Sequence, residues 1–338
     1  MDMDVNMDSE QNRLNTLIIG AGRMGAMYDT PESDWILSHA HAVTAHSGFD
    51  LAGFVDPHPE QGKAAASRWG GEHYVDLEEA ILTEAEKSRR IDGVVVTTPD
   101  HTHGDILKDI LNHSNHKPSF VVAEKPFTGD PELAQAIATA YEQAGILLVV
   151  NFTRRFVSEY QALQQAIRKE EYGKLLAGNA YYGKGWRHNG SHLMNTLQWL
   201  FDDVKTVGTF GKPVMDYGDD DPSFHVHIQL SHDVVMTAHA VDSRIVTVYE
   251  MELLFEKRRI RVLSNGQILS HPLKENPVFA GYVNYDSPEV TPANLGQALP
   301  NLYTHVLDCL GEKSQSSISS PLSTINTLQE LSNISAFV

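Results

Sequence analysis

Short apolar runs alternate with amphipathic segments over the first 150 residues of the chain. Strands that alternate with helices in this way are typical of a parallel sheet with crossover connections. We therefore expect an α/β domain with a doubly wound parallel sheet over residues 14–151. The apolar runs predict strands at 15–20, 50–55, 92–98, 119–123 and 146–151, with a shorter one near residues 74–75. The segments between them predict helices at 38–47, 59–69, 76–87, 102–113 and 130–144.

The pattern changes after residue 151. We expect an α+β domain over residues 152–338, built on a large, open, mostly antiparallel sheet, and a disordered leader over residues 1–13. Helices are predicted at 157–169, 190–201, 293–311 and 322–334. A strand is predicted at 177–183, followed by successive antiparallel strands at 224–230, 234–241, 247–255 and 257–263. Asn265 and Gly266 then predict a hairpin turn.

The first predicted strand runs directly into a G-x-G-x-x-G motif. The motif consists of Gly20, Gly22 and Gly25, with Arg23 and Met24 between the last two glycines. Glycines at this spacing allow a tight turn whose backbone can approach a pyrophosphate at a helix N-terminus. The motif therefore predicts a dinucleotide-binding site, and a βαβ unit that binds no nucleotide is the alternative.

Asp56 ends the second predicted strand. A carboxylate at this position can accept hydrogen bonds from the adenosine ribose and repel a 2′-phosphate, so we predict NAD in preference to NADP. Residues 28–37 interrupt the first crossover and lengthen the spacing from Gly20 to Asp56 beyond the usual value. We interpret residues 28–37 as an inserted loop over the cofactor.

Polar residues follow three predicted strands of this sheet. Thr97, Lys125 and Asn151 stand at the carboxyl ends of the strands. Ligands of doubly wound sheets bind in the crevice outside these ends, so we expect the nicotinamide beside them. Further residues predicted to contact the cofactor are Thr98, Pro99, His103 and Glu124.

Taken in order, these motifs resemble those of the Gfo/Idh/MocA (glucose–fructose oxidoreductase / inositol dehydrogenase) family of NAD(P)-dependent oxidoreductases. The resemblance covers residues 14–335 approximately. It implies a Rossmann domain, a second domain whose open sheet forms an oligomer interface, and reversible hydride transfer on sugars or related polyols. The segments that carry the resemblance are 20–25, 56–57, 98–103, 124–126 (Glu-Lys-Pro), 154–156 and 190–195.

Two residues match the active-site residues of this family. Lys125 matches its lysine, and His192 matches its histidine near the reacting carbinol. Oxidation of a secondary alcohol needs a base for the hydroxyl proton and a positive group for the developing alkoxide. We assign the first role to His192 and the second to Lys125. A surface lysine and a histidine buried on its helix are the structural alternatives.

The chain departs from the family pattern at two positions. Many members carry aspartates four residues before and three residues after the histidine, where this chain has His188 and Asn195. His188 is therefore a third catalytic candidate. The other interpretations are that Lys125 and His192 act alone, or that activity is lost.

Five further residues are predicted to bind substrate. Four of them are basic and would make the pocket locally positive within an acidic protein, which predicts a substrate with a carboxylate or diphosphate, as in a nucleotide sugar. Contacts between the domains are the alternative role for the arginines. The five residues are Arg154, Arg155, Lys184, Arg187 and Asn189.

Composition narrows the choice of partners. The net charge of −18 argues against nucleic acid and anionic membrane surfaces, and no apolar run approaches the roughly 20 residues that span a bilayer. The single Cys309 excludes an internal disulfide and is compatible with a reducing cytoplasm.

Seventeen histidines suggest that metal binding should be considered. The closely spaced pairs 101/103, 188/192 and 225/227 lack further ligands in register, so no metal is predicted.

Together, these features predict an NAD(H)-dependent oxidoreductase that acts on a hydroxyl-bearing carbon of a sugar, polyol or nucleotide sugar. We expect a cytoplasmic homodimer or homotetramer that assembles through the C-terminal sheet. A non-catalytic NAD-binding sensor or regulator on the same fold is the alternative. A reductase of unsaturated or aromatic-derived diols also fits the scaffold, but no residue specifically supports it.

Overall fold

The computed structural model describes residues 13–113, 116–201, 203–218, 220–230, 233–316 and 318–334. The predicted leader therefore lies outside the described residues, apart from Arg13. The chain divides into two compact units. The first contains residues up to Ala123 together with Ala140–Val149 and Leu302–Ser316. The second contains Glu124–Thr139, Val150–Asn301 and the residues from 317 onward.

A parallel six-stranded sheet organises the first half of the chain, which confirms the predicted doubly wound architecture. Its order is β3-β2-β1-β4-β5-β6. The buried strands are runs of branched apolar residues, as expected for a sheet covered on both faces. The strands are β1 (Leu14–Ile19), β2 (Phe49–Val55), β3 (Glu72–Tyr74), β4 (Gly93–Val96), β5 (Phe120–Glu124) and β6 (Leu147–Asn151). The helices are α1 (His39–Ala45), α2 (Pro59–Trp69), α3 (Leu77–Glu86), α4 (His103–Asn112) and α5 (Pro131–Ala144).

The first crossover differs from a simple strand–helix connection. The glycine motif leads into a single π-helical turn, Arg23–Met27, and α1 begins only at His39. The intervening loop packs on α2, because Arg68 donates a hydrogen bond to the Asp29 carbonyl (3.1 Å). The π-helical turn also contacts α2, where the Trp69 indole donates to the Ala26 carbonyl (2.7 Å). No residue of 28–37 lines the cavity beside the glycine motif described below. The structure therefore places the loop on α2.

A buried carboxylate fixes the end of this loop. Asp29 accepts hydrogen bonds from the backbone of Leu37 (2.6 Å) and Ser38 (3.3 Å), from the Ser38 hydroxyl, and from the His41 ring (2.9 Å). Burial tends to raise the pKa of Asp29, but these hydrogen bonds outweigh it and hold the pKa below the ordinary value. The ionised carboxylate thus serves as the anchor of the crossover.

Aromatic side chains form part of the core of the first unit. The ring of Phe49 contacts Phe120 and Tyr303, with centroids 5.8 and 5.2 Å apart. The Tyr303 hydroxyl is 2.8 Å from His39 Nδ1, and both side chains are fully buried. Tyr303 belongs to α8 (Ala298–Glu312), so a segment late in the sequence completes this core.

The second unit contains a nine-stranded sheet, which confirms the predicted open, mostly antiparallel architecture. Its order is β14-β13-β12-β11-β7-β10-β9-β8, with β15 paired to β13. The strands are β7 (Leu175–Tyr182), β8 (Lys205–Val214), β9 (Ser223–Gln229), β10 (Val235–Ala240), β11 (Tyr249–Phe255), β12 (Arg258–Val262), β13 (Gln267–Glu275), β14 (Val283–Tyr285) and β15 (Glu289–Pro292). The helices α6 (Ser158–Arg168), α7 (Ser191–Leu200) and α9 (Pro321–Asn333) complete the unit.

Three details of the predicted second domain need correction. Strands β10 and β11 were expected to be neighbours, but β7 lies between them and pairs in parallel with β10. Strand β8 was not predicted, since two glycines and Pro213 obscure its alternation. The helix expected at 293–311 begins at Ala298, because β15 and a short turn capped by Asn294 precede it. None of the described helices is long and apolar enough to cross a membrane.

We expect Asp29→Asn to destabilise the first unit by about 1–3 kcal/mol at pH 7, because the amide cannot accept all of these hydrogen bonds. The carboxylate has a lower pKa in the folded protein than in the unfolded chain. Its stabilisation is therefore present above about pH 4 and is lost as the pH falls through the folded-state pKa. Urea unfolding of both proteins at several pH values measures this difference. The exposed Asp34→Asn is the matched control, and an equal effect of the two substitutions would contradict the assignment.

Candidate active site

The glycine motif packs against the end of β4 so closely that two of its positions exclude a side chain. A Cβ on Gly20 would lie 2.9 Å from the Thr97 carbonyl carbon, and Gly20 has a φ of +100°. A Cβ on Gly25 would lie 2.0 Å from the Gly20 oxygen and 2.8 Å from the Thr97 hydroxyl. That hydroxyl donates a 2.7 Å hydrogen bond to the Gly20 carbonyl. Gly22 differs, because its Cβ would meet only the Gln61 side chain, at 3.7 Å.

A cavity of about 790 Å³ lies beside this motif within the first unit. Its volume falls in the range typical of cofactor sites. The predicted cofactor residues that line it are Gly20, Gly22, Arg23, Met24, Asp56, Thr97, Thr98 and Pro99. Because Gly22 leaves its backbone open to the cavity, a pyrophosphate can approach it closely. The residues present therefore fit a dinucleotide.

Asp56 connects the end of β2 to the glycine motif. Its carboxylate is buried and accepts hydrogen bonds from the backbone of Ala21 (2.9 Å) and His58 (2.9 Å), and from the Gln61 amide (3.2 Å). These contacts fix the carboxylate at the cavity wall, where sequence analysis expects a ribose ligand.

His103 does not line this cavity, although it is predicted to contact the cofactor. It is almost fully buried, and its Nε2 donates a 2.7 Å hydrogen bond to the Thr98 carbonyl. The imidazole therefore holds the turn that follows β4, and Thr98 and Pro99 carry the cavity surface.

Three predicted cofactor residues belong to the second unit. The Asn151 amide donates a 2.7 Å hydrogen bond to Glu124 Oε1, and both side chains are buried. Asn151 Oδ1 is buried without a hydrogen-bond partner among the described residues. Lys125 extends its ammonium to the His188 carbonyl at 2.8 Å. The strand ends thus carry an acid–amide pair followed by a lysine that is held by a backbone oxygen.

His192 lies in the first turn of α7 in the same unit. Its ring makes an edge contact with Phe152, with centroids 6.1 Å apart, and its carbonyl accepts a 3.3 Å hydrogen bond from the Tyr249 hydroxyl. Burial lowers the pKa of His192 well below the ordinary value, and the positive charges of Lys125 and Arg154 lower it further. The imidazole is therefore neutral at pH 7 and able to accept a proton.

His188 contacts Lys125 through its backbone carbonyl. Its ring stacks on Tyr217, with centroids 4.4 Å apart and planes inclined by 25°. Its carbonyl accepts the hydrogen bond from Lys125. The Lys184 ammonium lies 6.0 Å from the centre of the Tyr217 ring. Tyr217, which has no motif in the sequence, thus lies beside His188 and Lys184, two residues predicted for the site.

The two neighbouring arginines have different environments. The Arg154 guanidinium lies 3.5 Å from the centre of the Tyr249 ring, and its Nε is buried without a hydrogen-bond partner among the described residues. Arg155 is instead committed to the protein interior. It donates to Asn195 Oδ1 (2.7 Å) and to the Ile318 carbonyl (2.8 Å), and burial lowers its pKa to about 9. The predicted substrate role of Arg155 is therefore corrected to a structural one.

The remaining substrate candidates lie on or beside the π-helical turn Gly185–Gly190. The Asn189 amide donates a 2.9 Å hydrogen bond to the Gly183 carbonyl, so it braces the turn. Arg187 lines a separate cavity of about 420 Å³, whose wall includes Trp186 and Asp221. No three His, Cys, Asp or Glu side chains within the described ranges are arranged to hold a metal ion.

Comparison with known proteins concerns mainly the N-terminal part of the chain. Residues 14–152 match the family model described as "Oxidoreductase family, NAD-binding Rossmann fold" (GFO_IDH_MocA). An inositol 2-dehydrogenase from Arthrobacter sp. is 37% identical over 164 residues, which cover 48% of this chain and 43% of that protein. The scyllo-inositol 2-dehydrogenase (NAD⁺) from Bacillus subtilis is 27% identical over 181 residues, which cover 54% and 46%. The matched region thus spans less than half the length of these curated relatives.

The fold of the whole chain also has solved counterparts. A UDP-N-acetylglucosamine 3-dehydrogenase from Acidithiobacillus ferrooxidans superposes with a TM-score of 0.71 over 96% of this chain and 97% of that one, at 18% identity. Residues 14–152 thus form a Rossmann fold that matches the NAD-binding domains of this oxidoreductase family. The match to the Gfo/Idh/MocA family covers residues 14–152 of this chain.

The second and third glycines of the motif, Gly22 and Gly25, give a direct test of the cofactor cavity. We expect Gly22→Ala to leave the melting temperature nearly unchanged, because its methyl group meets only the Gln61 side chain at an ordinary distance of 3.7 Å. The methyl group would occupy space that the pyrophosphate needs, so NADH binding should weaken at least tenfold, a cost of about 1.4 kcal/mol. We expect Gly25→Ala to lower the melting temperature, because its methyl group collides with the Gly20 carbonyl. Titration calorimetry with NADH and thermal unfolding separate the two effects. Wild-type NADH affinity in Gly22→Ala would contradict the placement of the pyrophosphate.

Proposed function

We propose that this protein is an NAD(H)-dependent oxidoreductase that interconverts a hydroxyl-bearing carbon and a carbonyl on a carbohydrate or cyclic polyol. The observation that supports this proposal most is the electrostatic coupling of His192 to Lys125. Burial lowers the pKa of the imidazole and the charge of Lys125 lowers it further, while the Lys125 ammonium binds the His188 carbonyl, four residues before His192, so a neutral base and a cation lie near each other in the second unit. The curated relatives are dehydrogenases, which favours an enzyme over a sensor.

In the proposed reaction, His192 transfers the proton and Lys125 stabilises the charge. His192 accepts the hydroxyl proton of the alcohol as its C–H bond breaks. The Lys125 ammonium stabilises the negative charge that develops on the oxygen. NAD⁺, when bound, supplies the acceptor for the hydride. In the reverse direction, His192 returns the proton and Lys125 polarises the carbonyl.

NAD is the proposed cofactor in preference to NADP. Asp56 presents a buried carboxylate at the wall of the cofactor cavity. A carboxylate at this position accepts hydrogen bonds from ribose hydroxyls, and it repels a 2′-phosphate through like charge. Arg23 also lines the cavity and is exposed, so it can contact the pyrophosphate.

The substrate is proposed to be carbohydrate-like and to carry an anionic group. Arg154 lies close enough to affect the pKa of His192, and Lys184 and Arg187 stand on the neighbouring turn. Arginine pairs with carboxylate and phosphate in a bidentate geometry. The names of the similar proteins include inositol and a nucleotide sugar, and both are hydroxyl-rich ring compounds.

We propose that the protein self-associates through the outward face of its nine-stranded sheet. Residues that alternate with the buried positions of β7 and β10 include Tyr181 and Val235, which are 43% and 52% exposed. An open sheet face that carries large apolar side chains is typical of an interface. We also propose a cytoplasmic location, which is consistent with NAD(H) dependence and a buried free thiol at Cys309.

We expect His192→Gln to lower kcat about 10²–10⁴-fold with inositols or UDP-N-acetylglucosamine as substrate, because the base is lost. NADH binding should persist. Because the pKa of His192 lies well below 6.5, the wild-type oxidation rate should show no ascending limb near pH 6.5. Absorbance at 340 nm as a function of pH measures both effects. His271→Gln is the matched control on β13. Undiminished turnover in His192→Gln would refute the assignment.

Assembly is tested at Val235. We expect Val235→Lys to convert the oligomer into a monomer, since a symmetric interface would bury the new charge twice. Light scattering coupled to gel filtration measures the mass. Val246→Lys introduces the same charge at an equally exposed position in the loop between β10 and β11 and should not change the mass. A wild-type protein that is monomeric at all concentrations would rule out the proposed interface.

A further inference from the structure

The π-helical turn that carries His188 rests on a buried carboxylate. Asp221 Oδ1 accepts a 2.8 Å hydrogen bond from the backbone N–H of Arg187, and Oδ2 accepts a 2.9 Å hydrogen bond from that of His188. Asp221 is only 8% exposed. The first N–H groups of any helical turn have no partner within the helix, so a carboxylate placed beneath them fixes the turn.

The chain is shaped to bring the turn onto this carboxylate. Lys184 adopts a left-handed conformation (φ +71°), and Gly185 follows at φ +81°. A Cβ on Gly185 would lie 2.2 Å from Asp221 Oδ2, so only glycine allows the backbone to approach so closely. Two further hydrogen bonds seal the contact, from the Trp186 N–H to the Pro222 carbonyl (3.1 Å) and from the Gly185 N–H to the Ser223 hydroxyl (2.9 Å).

The opposite side of the same turn holds the lysine. The His188 carbonyl accepts 2.8 Å and 2.9 Å hydrogen bonds from the Lys125 ammonium and the Ser191 hydroxyl. The peptide N–H of His188 is bound to Asp221, whereas its carbonyl is bound to Lys125. The carboxylate thus fixes the residue whose oxygen positions the ammonium.

We propose that Asp221 is a positioning residue for Lys125, and that it acts through the backbone of His188. The proposal rests on the role of Lys125 in the proposed function. It explains how a chain with histidine at position 188 holds this ammonium, because the backbone carbonyl of His188 accepts a hydrogen bond from Lys125. Burial raises the pKa of Asp221, which the two backbone N–H groups oppose.

Two other aspartates of the second unit, Asp216 and Asp242, bind different groups from Asp221. Asp216 accepts hydrogen bonds from the backbone of Lys184 (2.5 Å) and Ser243 (3.1 Å), so it secures the entry to the turn and not the peptide of His188. Asp242 is paired with Arg244 at 2.7 Å in an exposed loop of the same unit. Asp242→Asn is therefore a matched control that removes a carboxylate without reaching the turn.

The first experiment needs no substrate. The NADH-loaded protein is treated with acetic anhydride, and acetylation of Lys125 is followed by mass spectrometry relative to Lys174 and Lys205. We expect Asp221→Asn to speed acetylation of Lys125 about fivefold, because the hydrogen bond that retains the ammonium is weakened. Asp242→Asn should react like wild type. An unchanged rate in Asp221→Asn would overturn the proposal.

A second variant guards against a folding defect. Asp221→Ser keeps one acceptor for the turn and should give an acetylation rate between those of wild type and Asp221→Asn. Circular dichroism and thermal unfolding establish that each variant is folded. If Asp221→Asn does not fold, the rate for Asp221→Ser decides, and a rate equal to that of wild type then rejects the proposal.

The second experiment is a double-mutant cycle on turnover. We expect Asp221→Asn to lower kcat about tenfold with KM within twofold of wild type. In a Lys125→Met background the same substitution should have no further effect, because the group that it positions is gone. Additive losses would contradict action through Lys125. If no sugar is turned over, the proposed function fails, whereas the acetylation result still decides the role of Asp221.

Discussion

The hydrogen bond from the Lys125 ammonium to the His188 carbonyl is the interaction on which the proposed chemistry depends. It ties the residue after β5 to the turn before α7, and α7 carries His192 in its first turn. A backbone oxygen is a stable reference point, because its direction is set by the fold and not by a side-chain rotamer. The same bond places a positive charge near His192, and this charge helps to keep the imidazole neutral.

Different constraints shape the two units. In the first, the limiting factor is space: Gly20 and Gly25 approach Thr97 too closely for any side chain, and the turn is thereby fixed beside the cavity. In the second, the limiting factor is the placement of charge within a buried region. Asp221 is enclosed by backbone N–H groups, and Arg154 is stacked on an aromatic ring. Such charges need surrounding hydrogen bonds or rings, because burial without them is costly.

Much of the fold could be predicted from local sequence. The run before Gly20 and the alternation in β9 reveal strands because burial on one or both faces leaves a periodic signature. The insertion of β7 between β10 and β11 leaves no such signature, since strand order depends on contacts between distant segments. Strand β8 was missed for a local reason, as glycines and a proline interrupt its pattern.

The site was predictable to the extent that motifs mark it. Lys125 and His192 stand in recognisable motifs, whereas Asp221 follows other aspartates in a segment that resembles a solvated loop. No local feature indicates which carboxylate of such a run is buried beneath a turn more than 30 residues earlier. The contacts of Arg155 and His103 within the protein could not be predicted for the same reason. Their donors are directed into the protein, and the sequence does not show direction.

The location of Tyr303 has a consequence for dissecting the molecule. Its ring closes the aromatic core around Phe49, although it is encoded about 250 residues downstream. An isolated N-terminal fragment that stops after β6 would expose Phe49 and the buried His39 to water, and it would be expected to aggregate. A minimal nucleotide-binding protein cut from this chain would need the segment 302–316 grafted back, for example by circular permutation. The Rossmann domain is therefore contiguous in space but not along the gene.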